Sequence, residues 1–207
     1  NGVLVVTAFY FGSNNLNECG PIWRRSISYA AALGIVGVFI SSFGEIFLLA
    51  TGQTANLAKG GGEIINILGW SMPPMLIFVA SSFFLEGLKR PKAGMYIMII
   101  GNLANVLLNW LWVFGYMGFP ELGAAGSAFS TVVVRIIMAC VIVYYIWHLK
   151  DHSTLNIRVH ANMIFRGGWR AWSKIRKIGL GGGASNAIES GAFSSMSIFA
   201  GLLGVMP

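Results

Sequence analysis

Three asparagines, Asn102, Asn105 and Asn109, fall three and four residues apart within an apolar run. That spacing places their side chains on one face of a helix. A row of amides there could coordinate a cation, bind a ligand, or act as hydrogen-bonding glue to a neighbouring helix. A carboxylate, Glu189, lies within the small-residue stretch 181–191. An apolar medium favours the neutral acid over the ion, so Glu189 could take up and release a proton. Ionised, it could hold Na+ with nearby hydroxyls and amides. A later start to that span would instead put Glu189 among lipid headgroups. Arg135 also sits in an apolar run, where a guanidinium needs an anionic or carbonyl partner. Glu45 is placed nearer a span end, and whether it pairs with Arg135 is open. Pro73 and Pro74 lack N–H groups, which frees carbonyls and permits a kink. Such a kink is a bending point in a moving protein and a shape feature in a static one.

Other chemistries lack their residues. The glycine runs 60–62 and 181–183 are not followed by Gly-Lys-Ser/Thr, so nothing points to a phosphate loop or an ATPase. His148 and His152 are four apart, but no carboxylate–histidine signature surrounds them, and no metal is assigned. No Ser/His/Asp or Cys/His set has supporting spacing, so the chain does not read as an enzyme. Asp151 beside His152 reads as a solvated loop pair. Cys19 and Cys140 read as two free thiols.

The elements that position these residues follow from composition. The 207 residues are 56% hydrophobic and 10% charged, against about 25% charged in soluble domains. That is too few charges to coat a water-facing surface. The chain reads as an all-α, polytopic transmembrane helical bundle. The end of one span occupies the first residues, up to about Gly12. Complete spans are expected at 29–50, 64–85, 93–116 and 122–147, with Pro73-Pro74 near the middle of the second of these. A polar segment, 148–177, follows, and a last span begins near Ile178. Its Trp-rich part around Trp169 and Trp172 reads equally as an interfacial helix or as an ordinary loop anchored by tryptophan. The chain opens and closes in apolar runs and reads as an interior piece cut inside helices at both ends.

The net charge of +7 does not point to nucleic acid, because the basic residues alternate between loops. Arg24 and Arg25 are expected before the first complete span. Lys89, Arg90 and Lys92 follow the second, and seven basic residues from Lys150 to Lys177 follow the last. The intervening loops, 51–63 and 117–121, hold only Lys59. This is the positive-inside pattern, which puts the basic loops in the cytoplasm.

Several blocks occur in one order: Thr51-Gly52-Gln53; Phe84-Leu85-Glu86-Gly87-Leu88-Lys89-Arg90-Pro91; the asparagine row, then Val113-Phe114-Gly115; and Leu122-Gly123-Ala124-Ala125-Gly126-Ser127-Ala128, then Ser130-Thr131 and Arg135. Together they resemble the multidrug and toxic compound extrusion (MATE) family, in its bacterial NorM-like branch. The resemblance implies twelve helices in two six-helix lobes. Residues 1–147 would be part of the N-terminal lobe, from late in its second helix through the sixth. Residues 148–177 would be the basic cytoplasmic link, and 178–207 the incomplete seventh helix. It further implies that Asn105 and Asn109 line the first-lobe cavity with Thr131, and that Glu189 is the acid tied to cation coupling. Some relatives carry Asp where Asn109 stands, so a protonation role at this neutral position is in doubt. The implied activity is antiport across the bacterial inner membrane, H+ or Na+ entering as organic, often cationic, compounds leave. No other cofactor is implied, and the full-length protein would be a monomer. The rival within the superfamily is a lipid-linked oligosaccharide flippase, which would line its cavity with several basic residues. Only Arg135 is available within a span. A non-transporting scaffold is the other rival, and would tolerate a charge-neutral replacement of Glu189.

Overall fold

The computed structural model describes residues 2–115 and 121–158, with single positions 179, 181, 184, 188, 191 and 192. Glu189, the whole of 159–178 with Trp169 and Trp172, and most of the last expected span lie outside the described residues. The chain runs through α1 (Gly2–Gly12), a 3-10 turn (Leu16–Glu18), α2 (Cys19–Ser41), α3 (Gly44–Ala50), α4 (Ala55–Gly69), α5 (Met72–Gly87), α6 (Pro91–Phe114) and α7 (Gly123–Trp147). There is no strand among the described residues.

Two helices, α6 with 24 residues and α7 with 25, are long and apolar enough to cross a membrane alone. At 1.5 Å per residue each reaches about 36 Å, enough for a hydrocarbon core of about 30 Å. Two further candidate spans are bent pairs. The 3-10 turn and α2 meet α3 at 49°, and α4 meets α5 at 41°. With each bent pair counted as one crossing, these helices match in number the four complete spans expected from the apolar runs.

Their starts differ from expectation. The helix holding Arg24 and Arg25 begins at Cys19, so neither arginine lies in a loop. Pro21 fits because it sits in the first turn, where its missing N–H would have had no helical partner. Arg24 is 6% exposed. It is accommodated because its Nη1 donates to the carbonyls of Asn156, at 2.6 Å, and Ile157. The expected loop 51–63 is largely the first half of α4. Its glycines allow close packing rather than a loop: a Cβ on Gly62 would lie 2.7 Å from Cβ of Glu45 on α3. Pro73 and Pro74 stand in the first turn of α5, not mid-helix, and the break falls just before them at Trp70 and Ser71. Prolines disfavour helix in the preceding residue and tolerate a helix start. A new helix at Met72 therefore replaces a kinked one.

The best-buried core lies at the basic end. Trp23, Phe84, Leu85, Ile142 and Ile146 pack there with Leu155 and Ile157 from the segment after α7. The Trp23 indole N–H donates to Ser81 Oγ at 3.2 Å, tying α2 to α5. Arg90 pairs with Asp151, whose side chain stays exposed as expected, so its ionic partner is Arg90 rather than the neighbouring His152. Much of α6 stays uncovered, with Ile100, Leu103, Val106 and Leu107 all exposed. Such a continuous apolar face suits lipid or further helices, not water.

Candidate functional site

Four of the polar residues singled out above converge between α5, α6 and α7. A helical step of four puts Thr131 and Arg135 on one face of α7, opposite Asn102 and Asn105 of α6. All four line one cavity of about 470 Å3. Its apolar wall carries Phe78 and three methionines, Met75, Met98 and Met138. Close helix contact sets the register. The carbonyl of Trp112 accepts from the N–H of Leu122 at 3.0 Å, and a Cβ on Gly126 would lie 2.6 Å from that same oxygen.

Each polar group has a defined local state. Thr131 Oγ1 donates to the carbonyl of Ser127 at 3.0 Å. Its hydrogen is thus engaged within α7, and its lone pairs are left for the cavity. Asn109 Nδ2 donates to Asn105 Oδ1 at 2.9 Å, a bond inside α6 rather than across helices. Asn109 Oδ1 is buried with no hydrogen-bond partner. Asn109 itself faces a neighbouring cavity of about 500 Å3, with Ser127 and Trp110 among its lining residues. The Asn105–Asn109 bond therefore connects two adjoining spaces, with Asn102 lining the first of them. The interhelical glue reading does not describe the Asn105–Asn109 bond.

Arg135 donates through Nη1 to Ser71 Oγ. Ser71 is fully buried and donates onward to the carbonyl of Leu68 at 2.6 Å. This chain links the cavity to the break between α4 and α5. Glu45, weighed above as a partner, is instead in the first turn of α3, against Gly62. Ser71 was missed by spacing arguments. The available signal was a hydroxyl immediately before a Met-Pro-Pro helix start, where unpaired carbonyls need donors. Pro73 is fixed from the other side by α2, since a Cβ on Gly34 would lie 2.4 Å from Pro73 Cα.

Among the described residues no group of three His, Cys, Asp or Glu side chains could hold a metal ion. Cys19, buried, and Cys140, exposed, are both free thiols. Glu189 lies outside the described residues, so its relation to the cavity is not part of this geometry.

The family model for MatE matches residues 1–111, more than half of the chain. The chain is 35% identical to a probable multidrug resistance protein NorM of Caulobacter vibrioides, over 97% of this chain and 42% of that protein. It is 26% identical to the probable multidrug resistance protein NorM of Rhizobium meliloti, over 97% of this chain and 46% of that one. The protein of the same name in Geobacillus kaustophilus is 23% identical, over 96% and 43%. The chain thus spans less than half the length of these relatives. The transmembrane helices, the order of the sequence blocks and these matches lead to one conclusion: the chain belongs to the MatE family.

Proposed function

We propose that the chain is part of a secondary active antiporter of the bacterial inner membrane that exports organic, often cationic, compounds in exchange for H+ or Na+. The observation that carries this reading is the cavity between α5, α6 and α7. Four intramembrane polar residues and three methionines share it, in a chain whose relatives are named multidrug resistance proteins. A volume of about 470 Å3 falls within the usual range for small-molecule pockets, about 300–1,000 Å3. Unbranched, polarisable methionine side chains re-pack around differently shaped apolar compounds.

In this reading residues 1–147 belong to the N-terminal lobe, 148–177 to the basic cytoplasmic link, and 178–207 to the start of the second lobe. Asn105, Asn109 and Thr131 supply neutral oxygens and amide donors to the first-lobe cavity. Glu189 is the coupling group, protonated or holding Na+ in turn. Ion binding at the acid favours one arrangement of the lobes and compound binding the other, so each shifts the affinity for the other. No covalent step is required, and the protein is not an enzyme.

Ethidium accumulation in a pump-deficient bacterium tests the reading. The complete gene, its Glu189→Gln variant and empty vector are compared at matched membrane expression. Lower accumulation with the complete gene, lost in the variant, is the expected result. Equal accumulation in all three strains removes drug export. Lowered accumulation in both protein-bearing strains keeps the exporter and removes Glu189 from coupling.

A further inference from the structure

We propose that Arg135 makes this cavity a carboxylate-reading site, so that the compounds it takes include amphiphiles carrying a free acid. The inference deepens the exporter reading and rests on it for the term substrate. The binding site itself stands on three observations.

First, the cavity carries a fixed positive charge. Arginine holds its proton under all ordinary conditions, and Arg135 lines the space directly. Second, nothing among the described lining residues neutralises it. Among the described residues the remaining polar lining is Asn102, Asn105 and Thr131, and no carboxylate is among them. Asp151, the carboxylate paired with an arginine among the described residues, is taken by Arg90 instead. Third, the guanidinium is oriented but not saturated. Ser71 accepts from Nη1, and a guanidinium has five N–H donors. Ser71 is itself fixed by its bond to Leu68, so the fork is held in place without spending its charge on an anion. A planar fork of this kind matches the two oxygens of a carboxylate. The low dielectric of the span strengthens that attraction over its value in water.

The rest of the cavity suits the remainder of such a molecule. Met75, Met98, Met138 and Phe78 offer an apolar wall for an aromatic ring system. A cationic group on the same molecule is repelled by Arg135 and directed away from it. One cation also suits a singly charged acid better than a pyrophosphate, which would call for several.

The test uses the purified complete gene product in detergent and two fluorescent probes, rhodamine B, which has a free carboxylate, and its ethyl ester, which does not. Binding is read by fluorescence anisotropy. The wild type is expected to bind the acid about tenfold more tightly than the ester, the scale of one charge-assisted hydrogen-bonded pair. In Arg135→Gln that preference falls to about one. In Arg135→Lys, which keeps the charge and loses the fork, it falls to about threefold. Equal binding of acid and ester by the wild type overturns the inference, and is the result expected if an acidic side chain elsewhere in the gene product already neutralises Arg135. A preference that persists undiminished in either variant also overturns it, so an unfolded Gln variant leaves the Lys variant to decide. Because binding is read without transport, the site can fail while ethidium export stands, and export can fail while the site stands.

Discussion

Arg24 Nη1 donates to the main-chain carbonyl of Ile157, joining the first turns of α2 to a segment 133 residues later. The same nitrogen donates to the carbonyl of Asn156. Gly20 adds its N–H to the carbonyl of Leu155 at 2.8 Å. The post-α7 segment is thereby fastened to α2 by charge-assisted bonds to its backbone. Arg24→Ala leaves those carbonyls unpaired within a buried cluster, at a cost of about 2–4 kcal/mol. A lower thermal unfolding midpoint of the purified complete gene product is the expected result, with Arg24→Lys between the two. An unchanged midpoint in Arg24→Ala would reduce the arginine to a topology signal.

Asp151→Asn is expected to do far less, although it too removes a link to the same segment. The side chains of Arg90 and Asp151 are 41% and 48% exposed. Exposed pairs contribute about 0–1 kcal/mol, screened further by salt. Its midpoint is expected within error of the wild type at 0.5 M NaCl (roughly a 4 Å screening length). A loss as large as that of Arg24→Ala would mean that the pair is shielded from solvent in the complete protein.

Gly34→Ala tests the bend between α4 and α5. The added Cβ would meet Pro73 Cα at 2.4 Å, a backbone atom that cannot rotate away. Either α2 moves off α5 or the bend opens, at a cost of about 1–3 kcal/mol. Gly12→Ala is the control, since no atom lies within 4 Å of its added Cβ. Reduced stability together with reduced ethidium efflux is expected for Gly34→Ala alone. Equal behaviour of the two variants would show that the α2–α5 contact gives way freely.

How far these features were legible in the chain depends on range. The long apolar runs of α6 and α7 announce themselves, because uninterrupted hydropathy is a local property. The asparagine face is equally local, being helical spacing within α6. The starts of α2 and α4 were not legible. Arg24, Pro21 and the glycines 60–62 are residues that usually mark loops, and they are helical here because distant partners accept them. Carbonyls near residue 157 satisfy Arg24, and Glu45 packs where Gly62 has no side chain. The partner of Arg135 was hidden for the same reason, since Ser71 is 64 residues away. Cavity membership for Asn105 and Thr131 followed from the family resemblance. Their separate hydrogen-bond states needed the fold.

The amide strip separates a structural role from a functional one. Asn105 and Asn109 bond to each other within α6, and Asn109 Oδ1 is buried without a partner. A single side-chain bond along one helix contributes only about 0.2–0.5 kcal/mol. Removing both polar partners together is close to neutral for stability, because no lone donor or acceptor is stranded. The double variant Asn105→Ala with Asn109→Leu is therefore expected to unfold within about 1 kcal/mol of the wild type, while ethidium efflux falls to the level of empty vector. The measurements are the thermal midpoint of the purified complete gene product and accumulation at matched expression. Efflux retained in a clearly destabilised protein would make the strip a packing feature. Efflux lost from a protein of unchanged stability places its amides in the transport cavity, where their value lies in what they bind rather than in what they hold together.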